Sequence, residues 1–391
     1  MAPPGGRLRP PQLLPLELGA AAGRPRRACG SGEAAVKVNL VAVQAKPVIS
    51  DYASGDAFYR KMRALMERAM RNVDRSIPTL VAYPEGIGLP LAFVPQTYHQ
   101  IGDAKTILQV FLRAVPKNLP RFTKAWFRFR TAFFRTVFLE TALEAEEIYV
   151  SAFSSIAREY GVYVSAGCVY LPHIEEEAVK GRHTIGKKVY NQSYLFNPGG
   201  VCLRRTPKIN LAPPTEPRFG FSPGNRAELM PIDTKIGRLG TLVCYDAFHR
   251  SLVERMDAMG VEIVLNPSHN ERRWNAPAGF NTAITVGEAW MRHGLPAMIQ
   301  GREHLKYGVS AMLVGPVFDV RSHGQSRICR NLGRADADPH DSILAEACVD
   351  EEDVICATVE VAGPFGMLNG RAPGLTPPVL EELAGGQYGH P

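Results

Sequence analysis

The chain has 391 residues, of which 45% are hydrophobic and 21% charged, so it can form one large α/β domain or two smaller ones. Its formal net charge of +7 is concentrated in residues 1–32, with five arginines against one glutamate, and residues 100–138, with eight basic residues against one aspartate. The rest of the chain is mildly acidic, which argues against a general nucleic-acid-binding face.

Seven scattered cysteines without a CxxC pair predict a reducing, cytoplasmic environment. The histidines form no metal-binding motif, so we expect no metal and no cofactor. No segment reaches the ~18 apolar residues that would cross a bilayer. Residues 1–33 are predicted to be a disordered extension or a mis-assigned start, with a cleaved targeting peptide as the alternative. The Gly- and Pro-rich residues 366–391 are predicted to be a loose tail, which leaves residues 34–365 as the domain.

From residue 36 onward, predicted strands and helices alternate. Apolar runs predict strands at residues 36–45, 79–83, 162–171, 190–200, 201–205, 236–244, 261–267, 295–300, 309–315 and 353–360. Apolar side chains at helical spacing predict helices near residues 55–75, 146–161 and 248–260. This alternation predicts a layered α/β domain.

Residues 89–140 interrupt the alternation and are predicted to be an insertion. Seven aromatic residues are interleaved there with basic ones: Phe122, Trp126, Phe127, Phe129, Phe133, Phe134 and Phe138. Three interpretations are open: a lid or oligomer contact, a basic amphipathic surface that touches a membrane, and single-stranded nucleic-acid binding. The first is favoured because long insertions in α/β enzymes usually shape access to the site.

Four residues could carry chemistry, although each has a simpler explanation when taken alone. Cys244 ends an apolar run just before a predicted helix, where helix N–H groups would favour the thiolate, but a lone cysteine is usually a small core residue. Glu85 follows a strand and could act as a general base, but such glutamates are mostly solvated. Lys208 and Glu216 share a Pro-rich loop and can meet if the loop folds back, but a surface lysine is the more common case.

In chain order, the YPE at 83–85, the lysine and glutamate of the 208–216 loop and the CYD at 244–246 resemble the nitrilase (carbon–nitrogen hydrolase) superfamily. The resemblance runs from about residue 36 to 362 outside the insertion, and the NPS at 266–268 supports it. It implies a four-layer α-β-β-α sandwich, commonly assembled into homodimers or larger homo-oligomers. It also implies a catalytic set of Glu85, Lys208 and Cys244, with Glu216 as a second glutamate.

The resemblance implies hydrolysis of a non-peptide C–N bond through a cysteine thioester. Tyr245 and Asp246 follow the cysteine, unlike the C-W-E of true nitrilases, which favours the amidase or carbamoyl-amidohydrolase branch and a small amide or N-carbamoyl substrate over a nitrile. Two other classes remain open: acyl transfer to an amine or lipid at the same site, and a catalytically silent scaffold.

Loops at the ends of strands are expected to line the substrate pocket. The predicted pocket residues are Tyr83, Tyr245, His269 and Asn270, and the Tyr245 backbone amide is also an expected oxyanion donor. Arg272 and Arg273 could bind a substrate carboxylate, but a solvated pair of arginines on a loop explains them more simply.

Overall fold

The computed structural model describes residues 35–101, 104–177, 182–213 and 215–362; the predicted extension at 1–33 and the tail at 366–391 lie outside the described residues. Sixteen strands occur in this described part of the chain. They are β1 (Val36–Gln44), β2 (Thr79–Ala82), β3 (Tyr163–Glu177), β4 (Arg182–Phe196), β5 (Cys202–Pro207), β6 (Ile232–Thr234), β7 (Gly237–Thr241), β8 (Ile263–Ser268), β9 (Pro277–Ala278), β10 (Asn281–Thr285), β11 (Tyr307–Met312), β12 (Gly315–Val317), β13 (Val320–Ser322), β14 (Arg327–Arg330), β15 (Ile343–Glu346) and β16 (Asp353–Val361).

Ten α-helices occur in the same described ranges. They are α1 (Gly55–Arg71), α2 (Val94–Ile101), α3 (Ile107–Lys117), α4 (Leu119–Phe129), α5 (Phe133–Glu140), α6 (Ala142–Tyr160), α7 (Thr215–Arg218), α8 (Arg250–Ala258), α9 (Val286–His293) and α10 (Leu295–Met298). Short 3-10 helices are found at Ile49–Tyr52, Leu89–Ala92, Arg226–Glu228, Cys244–Phe248 and Pro339–Ser342.

Two six-stranded sheets form the centre of the molecule. The first has the order β16-β1-β2-β3-β4-β5, and the second has the order β15-β14-β11-β8-β7-β6. In each sheet three adjacent strands run parallel, β1-β2-β3 in the first and β7-β8-β11 in the second. The carboxyl ends of parallel strands lie at one edge of a sheet, where open α/β sheets build their sites.

Side chains alternate across β1 with a period of two, as a buried strand requires. Val38 and Leu40 point into a core between the two sheets, whereas Val41 and Val43 belong to the core on the outer face of the first sheet. Helices α1 and α6 cover that outer face, and α8 and α10 cover the outer face of the second sheet. The four layers therefore run α-β-β-α, which confirms the predicted sandwich.

One predicted strand is wrong. Residues 295–300 begin with the short helix α10 rather than forming a strand. Gly294 precedes the helix and Pro296 occupies its first turn, where the fixed φ of proline suits a helix and its missing N–H is not needed. Leu295 and Ile299 are buried in the outer core of the second sheet, so the apolar run reflects burial and not strand geometry.

The predicted insertion between β2 and α6 is helical. It comprises the 3-10 helix Leu89–Ala92 and the helices α2 to α5. Phe129 and Phe138 are buried, whereas Trp126 and Phe127 are exposed. The aromatic residues therefore do not share one environment. Within the described residues, no helix combines the length and apolar character needed to span a membrane.

Candidate active site

Glu85 lies in the loop that follows β2 at the carboxyl edge of the first sheet. Its side chain is only 2% exposed. One carboxylate oxygen, Oε1, accepts hydrogen bonds from Lys208 Nζ at 2.8 Å and from Asn191 Nδ2 at 2.6 Å. Burial is the largest single influence on Glu85 and raises its pKa, but the Lys208 ammonium, His269 and side-chain hydrogen bonds together lower it by more, and the net pKa is lower than usual. Glu85 is therefore a carboxylate at neutral pH.

Lys208 directly follows β5, and its backbone N–H donates to the Asn191 carbonyl at 2.8 Å. Its ammonium is 1% exposed and lies 2.8 Å from both Glu85 and Glu216. Burial lowers the pKa of the ammonium, but the surrounding anionic groups raise it by more than burial lowers it, so the net pKa is well above its usual range. Lys208 therefore remains charged and can stabilise a developing negative charge.

Cys244 occupies a sharp turn at the edge of the second sheet. Strand β7 ends at Thr241, earlier than predicted, and a 3-10 helix begins at Cys244 itself. The backbone φ of Cys244 is 49°, in the left-handed region that costs a non-glycine residue about 1–3 kcal/mol. Such strain at a buried, chemically reactive side chain is typical of a functional site.

The protonation state of Cys244 differs from the thiolate that the sequence suggested. Burial and the nearby Glu85 carboxylate raise the pKa of the thiol well above its usual value, and Lys208 offsets this only in part. The thiol donates to the His269 carbonyl, with the sulfur 3.3 Å from the oxygen. Among the described residues, Glu85 Oε2 is a buried oxygen without a hydrogen-bond partner, which leaves it available to accept the thiol proton.

Asn191, which the sequence analysis did not select, joins the two carboxylates of the site. Its side-chain Nδ2 donates to Glu85 Oε1 at 2.6 Å and to Glu216 Oε1 at 2.7 Å. Glu216 also accepts from the Ala212 backbone N–H at 2.6 Å, which anchors the 208–216 loop. Asn191 lies in β4 and is followed by Gln192 and Ser193, which are also buried, so the sequence offered no signal that would have selected Asn191 among them.

Asp246 connects the cysteine turn to the lysine loop. Its buried carboxylate accepts from the backbone N–H groups of Ile209 at 3.0 Å and Asn210 at 2.7 Å, and from Asn210 Nδ2 at 3.0 Å. Burial raises the pKa of Asp246 to about 6, although these hydrogen bonds oppose the shift. The loop that begins at Lys208 is thereby held against the turn that carries Cys244.

These groups open onto a cavity of about 350 Å³. Aromatic and aliphatic side chains form most of its wall: Leu89, Pro90, Phe93, Phe138, Tyr170, Phe219, Phe221, Leu313, Val317, Phe318 and Val320. Several rings contact one another, for example Tyr170 and Phe221 with centroids 4.6 Å apart. Phe93 and Phe138 belong to the insertion, so the insertion contributes directly to the pocket wall.

His269 and Asn270 line the cavity, as expected from their position after β8. The His269 ring nitrogen Nε2 lies 2.8 Å from Ser322 Oγ, and burial lowers the pKa of the ring, which is therefore neutral. Asn270 Nδ2 donates to the Arg272 and His323 carbonyls, an arrangement that shapes the loop at the rim. Arg272 also lines the cavity.

Two predicted pocket residues lie elsewhere. Tyr83 is fully buried under α1, where its hydroxyl donates to the Met62 carbonyl at 2.8 Å, because its strand position points to the outer core and not to the strand end. The Tyr245 ring is 38% exposed and packs against Phe248 and His249, outside the cavity wall. Only the backbone of Tyr245 remains as a candidate contact.

Comparisons with known proteins agree with this architecture. The family model for carbon-nitrogen hydrolases matches residues 42–363. A search of curated proteins finds no match. Similar solved structures include a carbon-nitrogen hydrolase from Helicobacter pylori (18% identity, TM-score 0.51, covering 84% of this chain and 90% of that one). Another is Saccharomyces cerevisiae Nit3, a member of the nitrilase superfamily (19% identity, TM-score 0.50, 84% and 91% covered).

A third similar structure is a mutant of the amidase from Nesterenkonia sp. AN1 (17% identity, TM-score 0.50, 83% and 90% covered), in which the acetamide moiety of fluoroacetamide is covalently attached to the active-site cysteine. At these identities the structures establish the fold, while the family model spans most of the chain. The chain therefore belongs to the carbon-nitrogen hydrolase family.

Proposed function

We propose that the protein hydrolyses the C–N bond of an amide or N-carbamoyl compound through a thioester on Cys244. The observation that carries this proposal is the convergence of a thiol, a carboxylate with an unpaired oxygen and a charged ammonium at one buried cavity. Acyl transfer through a covalent intermediate needs a nucleophile, a base that can become an acid, and a stabiliser of the oxyanion.

In the first half of the reaction, the sulfur of Cys244 bonds to the carbonyl carbon while its proton moves to Glu85. Because the resting thiol is neutral, this proton transfer accompanies the attack. The Lys208 ammonium and the Tyr245 backbone N–H stabilise the oxyanion, and one such donor contributes about 3–4 kcal/mol in related acyl-transfer enzymes. Glu85 then protonates the leaving nitrogen, the C–N bond breaks, and ammonia or an amine departs.

In the second half, Glu85 removes a proton from water as the water oxygen attacks the thioester carbonyl. The C–S bond then breaks, the acid product leaves, and the sulfur recovers its proton through Glu85. Glu216 and Asn191 hold the lysine and the base in position without reacting. The atoms of the substrate and of one water molecule thus end up in an acid and in an amine or ammonia.

The lining of the cavity supports a substrate with an apolar group beside the scissile bond. Most of the wall is aromatic or aliphatic, and burying one methylene contributes roughly 0.8 kcal/mol. Extending an apolar chain should therefore raise kcat/KM roughly fourfold per methylene until the wall is reached. The kcat/KM values of amides with longer acyl chains and of amides with longer N-alkyl groups should both be measured, since the group on either side of the scissile bond could contact the apolar wall.

The proposal is tested by measuring ammonia or amine release from primary amides, N-alkyl amides, N-carbamoyl compounds and nitriles. Cys244→Ala and Glu85→Gln should each lower turnover by at least about 1,000-fold, because removing a member of such a set abolishes the covalent route. The exposed Cys348 offers a matched control, and Cys348→Ala should keep full activity. Mass spectrometry of the quenched enzyme should find the acyl group on the peptide that contains residue 244.

A folded Cys244→Ala protein with full activity would refute the thioester route. A scaffold without activity would release nothing from any substrate, and no acyl group would be found on the peptide that contains residue 244. Acyl transfer would instead show when an amine acceptor is added: a new amide would form, and less free acid would be released. Faster turnover of nitriles than of amides would overturn the substrate class but not the nucleophile.

A further inference from the structure

The outer side of the insertion exposes a group of apolar side chains. In α3, Leu108 and Leu112 are one helical turn apart and are 64% and 65% exposed. In α4, Leu119, Trp126 and Phe127 are also exposed, and the two rings lie edge to face with centroids 5.2 Å apart. Several exposed large apolar side chains on two consecutive helices are typical of an interaction site.

Cations lie directly beside these apolar side chains. Lys124 and Arg128 are one turn apart in α4 and are exposed, with the Arg128 guanidinium 5.1 Å from the centroid of the Phe129 ring, whereas Ala125 and Phe129 on the adjacent side of the helix are buried against the protein. At 3.6 residues per turn, the three apolar side chains of α4 occupy one sector of its exposed side and the two cations occupy the next. The helix therefore has a protein-facing sector, an apolar sector and a cationic sector.

We propose that this surface binds an anionic lipid bilayer, with the apolar side chains in the interface and the cations at the lipid phosphates. The α3–α4 outer face comprises Leu108, Leu112, Leu119, Trp126 and Phe127 together with Lys124 and Arg128. Adjacent apolar and basic sectors, with aromatic side chains in the apolar sector, are the features by which interfacial helices bind membranes. Helix α4 has 11 residues and a length of about 16 Å, so it lies along the surface.

Charge distinguishes a bilayer from other occupants of this face. A second copy of the chain related by a two-fold axis would bring the same patch against itself, and the excess positive charge of the patch would then be unfavourable. A nucleic acid would pair with the cations but would leave Leu108 and Leu112 in water. An anionic bilayer satisfies both sectors at once, and residues 100–138 as a whole carry eight basic residues against one acidic residue.

The test is co-sedimentation of the purified full chain with vesicles. We expect binding to vesicles of equal parts phosphatidylcholine and phosphatidylglycerol, weaker binding at high salt, and little binding to pure phosphatidylcholine. Lys124→Ala combined with Arg128→Ala should weaken partitioning roughly 30-fold, because each cation near an anionic surface contributes about fivefold. Lys187→Ala combined with Lys188→Ala removes the same charge from an exposed site in β4 and should leave binding unchanged.

The apolar contribution needs its own variant. Trp126→Ser combined with Phe127→Ser should reduce binding at least about tenfold even at high salt, whereas Val349→Ser, at another exposed apolar side chain, should not. Thermal unfolding of every variant verifies that the fold is intact.

Two vesicle results would overturn the proposal. One is an equal loss of vesicle binding in the two double charge variants, and the other is no binding of the wild type to anionic vesicles. An oligomer that dissociates on Trp126→Ser would also overturn it, since the face would then cover a second copy. These measurements do not depend on amidase activity.

Discussion

Glu85, Lys208 and Glu216 form a buried cluster of two carboxylates and one ammonium. Burying charges is costly unless they are paired and hydrogen-bonded, and here Asn191 supplies neutral N–H groups to both carboxylates. Burial and the nearby Glu85 carboxylate raise the pKa of the Cys244 thiol, which keeps the resting sulfur protonated. The arrangement thus holds a base ready without leaving a permanently reactive thiolate.

Asp246 gives a prediction about pH and stability at the scale of a single residue. Burial raises its pKa from the ordinary value of 3.8 to about 6 in the folded protein. Between these two values the folded state holds a proton that the unfolded state has lost, so stability falls as pH rises from about 4 to 6. Two pKa units correspond to roughly 3 kcal/mol.

The comparison variant is Asp246→Asn, which cannot titrate at this position. The free energy of unfolding of the wild type, measured relative to this variant by urea titration, should decrease by ~3 kcal/mol across that pH interval and then stay constant above about pH 7. A difference that does not change with pH would contradict the buried carboxyl group with its raised pKa.

At the scale of the element, the bulge in β3 accommodates the loop that carries Glu85. The register of β3 with β4 shifts between Ser165 and Cys168, and Gly167 in this interval has a φ of +73°. A Cβ at Gly167 would lie 2.1 Å from the Pro84 carbonyl oxygen. The backbone of β3 and the Glu85 loop therefore fit together only with glycine at this position.

Gly167→Ala should for this reason displace Glu85 and lower kcat by at least about tenfold, since a displacement of about 1 Å at a catalytic group can cost 100-fold. Gly161→Ala is the matched control, because Gly161 also has a positive φ of +66° but has nothing within 4 Å of an added Cβ. Both variants should lose roughly 1 kcal/mol of stability from the φ requirement alone. Equal kcat values for the two variants would show that the close approach to Pro84 has no effect on the site.

At the scale of the whole molecule, the site is built from both sheets. Glu85 and Lys208 follow strands of the first sheet, while Cys244 and His269 follow strands of the second. The distance between nucleophile and base therefore depends on how the two sheets pack. The core between them, which includes Leu40 and Leu265, sets that packing.

Leu40→Ala removes a fully buried side chain from the core between the sheets and should destabilise the protein by about 2–5 kcal/mol. Val48→Ala, at a side chain that is 51% exposed, should change stability by less than about 0.5 kcal/mol. Urea unfolding measures both. A loss below about 1 kcal/mol for Leu40→Ala would indicate that the sheets can close the resulting cavity by moving together.

Local pattern was sufficient to predict the central strands of both sheets, the covering helices α1, α6 and α8 and, through a resemblance, the family. Period-two and period-3.6 repeats report burial within one element, which is why the helix face of α1 and the strand β1 were predicted correctly. The pattern failed at residues 295–300, because an apolar run has the same composition in a buried helix as in a strand.

Tertiary packing alone decided the environment of the site. Lys208 and Glu85 are 123 residues apart in the chain, and Asn191 and Glu85 are 106 apart, so no local pattern records their contact. The neutral state of Cys244, the link through Asp246 and the aromatic wall of the cavity also arise from groups that meet only when the two sheets pack. A pKa and a pocket depend on distance and burial in three dimensions, and these become defined only in the folded chain.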